Sequence, residues 1–324
     1  MNVLITGGAG FLGQKLAHAL LQRGTLSGPD GSQQKIDRLV LADVMPAHDF
    51  GDARVKVVTG DITDPALMSR LIDADTSSVF HLAAVVSGQA EADFDLGMRI
   101  NLDASRLLLE TCRAAGHKPR VVFTSSVAVY GGQLPDVVRD DTALNPQSSY
   151  GAQKAIGELL LNDFSRKGFV DGRVLRLPTI SVRPGKPNKA ASSFASGIIR
   201  EPLAEQEAIC PVAPSLRLWL LSPRRAIAAL IAGHELSAEK LGNSRTINLP
   251  GLSVSVAEMV AALGKVAGQE VAARIRFAPD PAVERIVQSW PGAWDVSRAR
   301  ALGLEGDANF ESVIRSHIED ELGG

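Results

Sequence analysis

Short apolar, β-branched runs alternate with amphipathic stretches through the first half of the chain. The runs are Asn2–Thr6, Arg38–Asp43, Val55–Thr59, Ser78–Leu82, Val121–Ser125 and Arg173–Leu177. Their length and side-chain type suit buried strands. Between several of them lie Gly13–Arg23, Pro65–Ala74 and Leu102–Ala115, with apolar positions at helical spacing. Strand, helix, strand in this rhythm predicts an α/β protein. Its parallel sheet should be doubly wound, with helices on both faces and right-handed crossovers.

Two stretches depart from the rhythm. Gly24–Lys35 (GTLSGPDGSQQK) is polar and rich in Gly and Ser. It predicts a solvated surface insertion between the first helix and the second strand. After Leu177, the prolines 178, 184, 187, 202, 211 and 214 leave few regular runs, a texture suited to loops that line a site. Thr246–Leu249 reads as a returning strand. Ser255 and Glu258 form a capping box that opens a helix running to about Val266. The chain therefore divides into a domain over 1–177, with a returning segment at about 217–250, and a smaller mixed substrate lobe over 178–216 and 251–324.

Composition narrows the class. A chain of 324 residues has room for one large domain and a smaller one, and 45% hydrophobic with 22% charged residues is globular. A net charge of −2 without any Lys/Arg tract argues against a nucleic-acid surface. Cys112 and Cys210 have no CxxC spacing, so a metal site and a disulfide framework are both disfavoured, and a reduced cytoplasmic setting is expected. The opening residues MNVLITG lack a basic flank and reach glycine too early for a signal peptide. The longest apolar-looking stretch, Leu216 to Ala232, holds Arg217, Pro223, Arg224 and Arg225 and suits no membrane span.

The first strand runs directly into Gly7-Gly8-Ala9-Gly10-Phe11-Leu12-Gly13, with a helix following. Glycines at this spacing permit a tight turn, let backbone N–H groups approach a pyrophosphate, and pack helix against strand. A glycine cluster by itself is a turn; its place between strand and helix makes it a Rossmann-type dinucleotide loop. Asp43 ends the second strand, where a carboxylate accepts from the adenine-ribose diol and repels a 2′-phosphate. The expected cofactor is NAD rather than NADP. The interval from Gly13 exceeds the usual ~20 residues, and the Gly24–Lys35 insertion accounts for the excess.

Tyr150 and Lys154 stand one helical turn apart and share a face. An ammonium beside a phenol stabilises the phenolate, which can then exchange a proton with a substrate hydroxyl as hydride moves to or from a nicotinamide. A bare Y-x-x-x-K pair also suits a solvated helix face; following a dinucleotide-binding half, it becomes specific. Upstream, Thr124-Ser125-Ser126 ends a strand at the carboxyl edge of the sheet, where ligands sit.

Taken in order, TGGAGFLG, Asp43, GDI (Gly60–Ile62), HLAA (His81–Ala84), SSVAVYG (Ser125–Gly131) and YGAQK (Tyr150–Lys154) resemble the extended short-chain dehydrogenase/reductase family through most of the chain. The resemblance implies that Tyr150 is the catalytic acid/base, that Lys154 holds the nicotinamide ribose, and that Ser126 hydrogen-bonds the reacting oxygen. It implies Asp61 and Ile62 beside the adenine and Asn101 near the cofactor. The expected cofactor set is thus Gly7, Gly10, Phe11, Leu12, Gly13, Asp43, Asp61, Ile62, Leu82, Ala83, Ala84, Asn101, Tyr150, Lys154 and Pro178. The stretch Arg176–Pro202, with the long loop after the first helix, resembles an erythronate-oxidising branch of the family. That finer resemblance implies oxidation of the 2-hydroxyl of D-erythronate to a 2-oxo acid. A family-level homodimer would pair helices near Leu102–Cys112 and Gly151–Phe164.

The residues themselves also favour a small acid. Arg183 stands in a Pro/Gly-bounded segment just beyond the sheet, and a guanidinium suits bidentate carboxylate binding. Asn188, Ser192 and Ser193 can serve hydroxyls or a carboxylate oxygen; the plainer alternative is a surface arginine and serines that cap a helix from Phe194. The substrate set is Ser87, Ser126, Tyr150, Thr179, Arg183, Asn188 and Ser192. A sugar dehydratase typically follows this serine with Asp-Glu, whereas Ser126 is followed by Val127-Ala128. A nucleotide-sugar epimerase on the same scaffold stays open, because it needs only the Ser, Tyr and Lys. A non-enzymatic NAD-binding protein usually loses the Tyr/Lys pair, which this chain keeps.

Overall fold

A computed structural model describes residues 1–28, 30–186 and 190–323. Among these, seven strands form one parallel sheet: β1 Asn2–Thr6, β2 Arg38–Asp43, β3 Val55–Thr59, β4 Thr76–His81, β5 Arg120–Ser126, β6 Asp171–Leu177 and β7 Thr246–Asn248. Their spatial order is β7-β6-β5-β4-β1-β2-β3. The order reverses between β1 and β4, and ligands of such sheets bind at that switch point, outside the carboxyl ends of the strands. The expected doubly wound fold is the observed one.

The strands read as continuous apolar runs because both faces are covered. On one face, Val3, Ile5, Leu39 and Leu41 meet Leu16 and Leu20 of helix α1 (Phe11–Arg23). On the other, Leu4, Val40 and Ala42 meet Met68 and residues of helices α2 (Ala104–Ala115) and α3 (Ser149–Arg166). Alternation along each strand assigns its side chains to the two faces. The stretch expected as one helix from Leu102 instead begins as a π-helix, Met98–Asp103, and continues as α2.

A third apolar cluster lies in the C-terminal part. It joins Phe194, Ile198 and Ile199 of α4 (Phe194–Leu203) to Met259 and Leu263 beyond the Ser255/Glu258 capping box. Helix α5 (Pro223–Glu235) and β7 return to the large domain. The strand Arg217–Leu221 pairs with Leu252–Ser255 and Thr179–Ile180 in a separate small sheet. Its Leu218 and Leu220 enter the third cluster while Trp219 and Leu221 enter the α1-side cluster. This strand serves both cores, so a boundary at 217 passes through a shared seam.

The Gly24–Lys35 insertion meets its expectation in part: residues 30–33 and Lys35 are exposed, while its base is built into the fold. It is an antiparallel hairpin, Thr25–Ser27 with Gln33–Lys35, and its Leu26 is fully buried. Glu235 at the end of α5 holds it, accepting from Ser27 N (2.9 Å), Ser27 Oγ (2.7 Å), Gln33 Nε2 (2.8 Å) and Arg23 (3.1 Å). Against its partial burial, the neighbouring His234 ring and then the Ser27 and Gln33 bonds hold the Glu235 carboxyl well below the usual range. Polar composition suggested solvation, which holds for the tip; at the base Ser27 is buried and satisfied by Glu235. Glu235→Ala should cost roughly 1.5–3 kcal/mol, the range for bonds to a charged group. The hairpin sits at the amino end of the sheet, so catalytic turnover of the folded protein should be unchanged. Urea unfolding paired with an activity assay checks both parts.

Candidate active site

A cleft of about 340 Å³ opens at the switch point. Gly7, Gly10, Phe11, Leu12 and Gly13 line one end. Gly7 has φ +71°, and a Cβ there would fall 2.8 Å from Ala83 N; a Cβ on Gly13 would fall 2.2 Å from Gly7 O. Only glycine allows this packing of loop, strand and helix. Helix α1 is capped by Gly10 with no side-chain bond, so its first-turn N–H groups stay available to a phosphate. The glycine loop therefore fits a dinucleotide. Asp43 lies beside it, its Oδ2 accepting from Ala9 N at 3.1 Å and its Oδ1 from Met45 N at 3.2 Å.

Leu82, Ala84 and Ser87 line the middle of the cleft, and Pro178, Thr179, Arg183 and Ser192 its other side. Between them stand Ser126, Tyr150 and Lys154. Ser126 ends β5 and caps the following turn, its Oγ accepting from Ala128 N at 3.1 Å. Ser148 caps α3 through Gly151 N, which places Tyr150 in the first turn. Lys154 is 1% exposed, with Nζ 4.7 Å from the Phe123 ring centre and 5.8 Å from that of Tyr150.

The electrostatics depart in one respect from expectation. Burial pushes the Tyr150 phenol up to about 12, and the opposing pull comes from the Ser126 hydroxyl and the Arg183 charge rather than from Lys154. Burial also brings Lys154 down to about 8, opposed by Glu158 one turn further along α3. Glu158 itself is buried and accepts from Ser125 Oγ (2.5 Å), Arg176 Nε (2.9 Å) and Arg176 Nη2 (2.6 Å). Arg176 also donates to Tyr130, which bonds Asn248 at 3.1 Å.

Arg183 is set in place by its own backbone. Its N–H donates to Ser196 Oγ (3.0 Å) and its carbonyl accepts from Arg200 (2.7 Å), both on α4. Burial, then the Arg200 charge, lowers its pKa. No carboxylate of the described residues pairs with it.

Several expected site residues lie outside the cleft wall. Asn101 is buried behind it and clamps the loop after β4, accepting from Val85 N (2.9 Å) and donating to Val85 O (3.2 Å) and Gln153 (2.8 Å). Asp61 is held by Thr63 and pairs with Arg99 at 3.1 Å. The Ile62 side chain is buried in the apolar cluster with Leu67 and Met68, and Ala83 packs against that cluster. Asn188 falls outside the described residues. Residues missed from the sequence include Val86, Ile180 and Ala190, which lie within two positions of expected ones, and Trp290. Trp290 enters from far along the chain, with no local signal to mark it.

His81 of the HLAA stretch is a clamp rather than a cleft residue. Ser105 donates to Asn101 O (2.7 Å) and so accepts from His81 Nε2 (2.9 Å), while Thr6 donates to Nδ1 (2.6 Å). The ring is thereby held neutral, and burial, with the Lys154 charge second, lowers it from 6.5 to about 3. The unfolded chain binds this proton below pH ~6.5 and the folded one does not until about 3. Stability from this group is therefore present above 6.5 and is lost as pH falls towards 3. His81→Gln should lower stability at pH 7 but shrink the difference between pH 7 and pH 5 by roughly 2 kcal/mol. Urea midpoints at the two pH values decide it; a difference equal to wild type would refute the assignment.

Comparison with known proteins agrees with this geometry. The sequence model of the NAD dependent epimerase/dehydratase family matches residues 3–221. A D-erythronate dehydrogenase of Cupriavidus necator is 69% identical over 320 residues, covering 99% of this chain and 98% of its own. A D-erythronate dehydrogenase of Haemophilus influenzae is 48% identical, covering 99% and 100%. A crystal structure described as a nucleoside-diphosphate-sugar epimerase from Agrobacterium tumefaciens superposes with TM-score 0.94 at 46% identity, covering 100% of this chain and 95% of that one.

Proposed function

The chain belongs to the NAD dependent epimerase/dehydratase family, and from that premise we propose that it oxidises the 2-hydroxyl of D-erythronate to the 2-oxo acid. The charge of the cleft carries the reading. Lys154 and Arg183 line it, and among the described residues no Asp or Glu does. Such a wall welcomes a carboxylate and gives an ammonium no counter-charge. The two erythronate dehydrogenases, similar over nearly the whole chain, supply the substrate's identity.

Bound NAD supplies the acceptor for the hydride that leaves C2. Tyr150, as phenolate, takes the proton of the 2-hydroxyl, and Ser126 donates a hydrogen bond to the same oxygen. The Ser126 hydroxyl and the Arg183 charge favour the phenolate, against the burial that favours the phenol. Arg183 forks onto the carboxylate, one carbon from the reacting hydroxyl. Asp43 would accept from the adenine ribose, and the start of α1, which no side chain caps, would hold the pyrophosphate.

The same reading takes the protein as a cytoplasmic homodimer. Phe94, Ile156 and Leu159 are 58%, 41% and 67% exposed, an apolar surface beside and along α3 suited to a second copy. No helix among the described residues is long and apolar enough to cross a membrane.

The alternative on this scaffold is a nucleotide-sugar epimerase, the description carried by the 46%-identical structure. An epimerase returns the hydride to its substrate, so net NADH formation separates the two. With NAD and D-erythronate, NADH should accumulate in proportion to acid consumed. No NADH from any three- to six-carbon aldonic acid would overturn the proposal. Tyr150→Phe should reduce turnover by ~10² or more, with NADH affinity near wild type; steady-state kinetics and a titration read the two. Arg183→Ala should lower kcat/KM for the acid about ten- to a hundredfold, the value of one charge-assisted bond. Neither the wild type nor this variant should oxidise L-threonine, whose ammonium finds no carboxylate in the cleft. Rapid threonine oxidation would show that the charge argument fails.

A further inference from the structure

We infer that Trp290 is the wall that limits how long a carbon chain the site accepts. The inference rests on the sugar-acid reading above and deepens it. Once Arg183 holds the carboxylate and Ser126 with Tyr150 the neighbouring hydroxyl, the remaining carbons occupy the rest of the substrate end. Trp290, Ile180 and Ala190 also line the cleft, and Trp290 packs against the apolar cluster that holds Val182, the neighbour of Arg183. Of these, the indole is much the largest side chain and the one whose removal opens most space.

The wall is fixed rather than pliant. Upstream, Val287 is fully buried in the third apolar cluster, and its carbonyl accepts from Trp290 N at 3.2 Å. Trp290 itself packs against that cluster. Downstream, Val138 N donates to Ala293 O (3.0 Å) and Asp295 N donates to Val138 O (2.8 Å). Trp294 lies edge-on to Tyr130 with ring centres 5.0 Å apart and stacks on Trp219 at 6.0 Å. Its indole N–H donates to Pro291 O at 3.2 Å. Residues 288–293 are thus pinned at both ends, and Tyr130 ties the downstream pin to the Arg176–Glu158 pair behind the catalytic helix. The position of the indole is set by the protein before any substrate arrives, which is the condition for a length limit.

The test compares four-, five- and six-carbon aldonic acids on full-length wild type, Trp290→Ala and Trp290→Phe. Two ratios of six-carbon to four-carbon acid are measured: in kcat/KM, and in affinity for the NADH-loaded protein by calorimetry. Wild type should favour four carbons. Trp290→Ala should raise both ratios at least about tenfold, the effect of one or two methylenes gained in a pocket, with NADH affinity unchanged. Trp290→Phe should raise them less. Unchanged ratios in Trp290→Ala at native NADH affinity overturn the inference. If that variant fails to bind NADH, the Trp290→Phe ratios decide, a rise supporting the wall and no change refuting it. A wild type that binds the acids but forms no NADH overturns the proposed dehydrogenase and leaves the affinity ratios to judge Trp290. A wild type that binds none of them overturns both.

Discussion

Glu158 keeps a carboxylate in the middle of the protein, its side chain 2% exposed. A buried charge left alone costs several kcal/mol. It is tolerable here because Arg176 forks onto both oxygens and Ser125 donates a third bond. Such a pair adds little net stability over a well-packed apolar one; what it contributes is position. Glu158 and Lys154 lie one turn apart on α3, with Tyr150 one turn earlier still, so the pair sets the height and rotation of the catalytic stripe. Ser125 precedes Ser126 at the end of β5. Arg176 lies on β6 and reaches Tyr130, which meets Asn248 on β7 and the Trp294 ring. One ion pair therefore aligns Ser126, Tyr150 and Lys154, the side chains proposed to react, and the segment that carries Trp290.

The cleft is built around positive charge held at a cost. Burial pulls Lys154 down and Tyr150 up, so both neutral forms are favoured by the surroundings alone. Glu158 resists for the lysine, while Ser126 and Arg183 resist for the tyrosine. The substrate carboxylate proposed for Arg183 would complete this arrangement with a counter-charge that the cleft wall lacks. Behind it, His81 stays neutral between Thr6 and Ser105 and bridges β1, β4 and the start of α2 without adding a further cation.

The chemistry-bearing residues were legible because each depends on neighbours along the chain. A glycine loop between strand and helix, a Tyr/Lys pair one turn apart, and a serine at a strand end are local patterns with local physics. Arg183 stood out through its prolines and lines the cleft with Ser192 as expected. Misreadings arose where distant partners decide. The tip of the Gly24–Lys35 stretch is solvated as its composition suggests, but its base is buried and held by Glu235, over 200 positions away.

By itself, then, the sequence determined the strand-helix rhythm, the dinucleotide loop and the spacing of Tyr150 and Lys154, since periodicity and short-range sterics act over a few residues. Tertiary structure alone decided which residues behind the site carry charge, where the two lobes share the strand Arg217–Leu221, and that Trp290 lines the cleft. Those outcomes depend on burial and on contacts between segments far apart in the chain. Burial sets the desolvation that moves a pKa, and neither it nor a remote contact leaves a mark on adjacent residues.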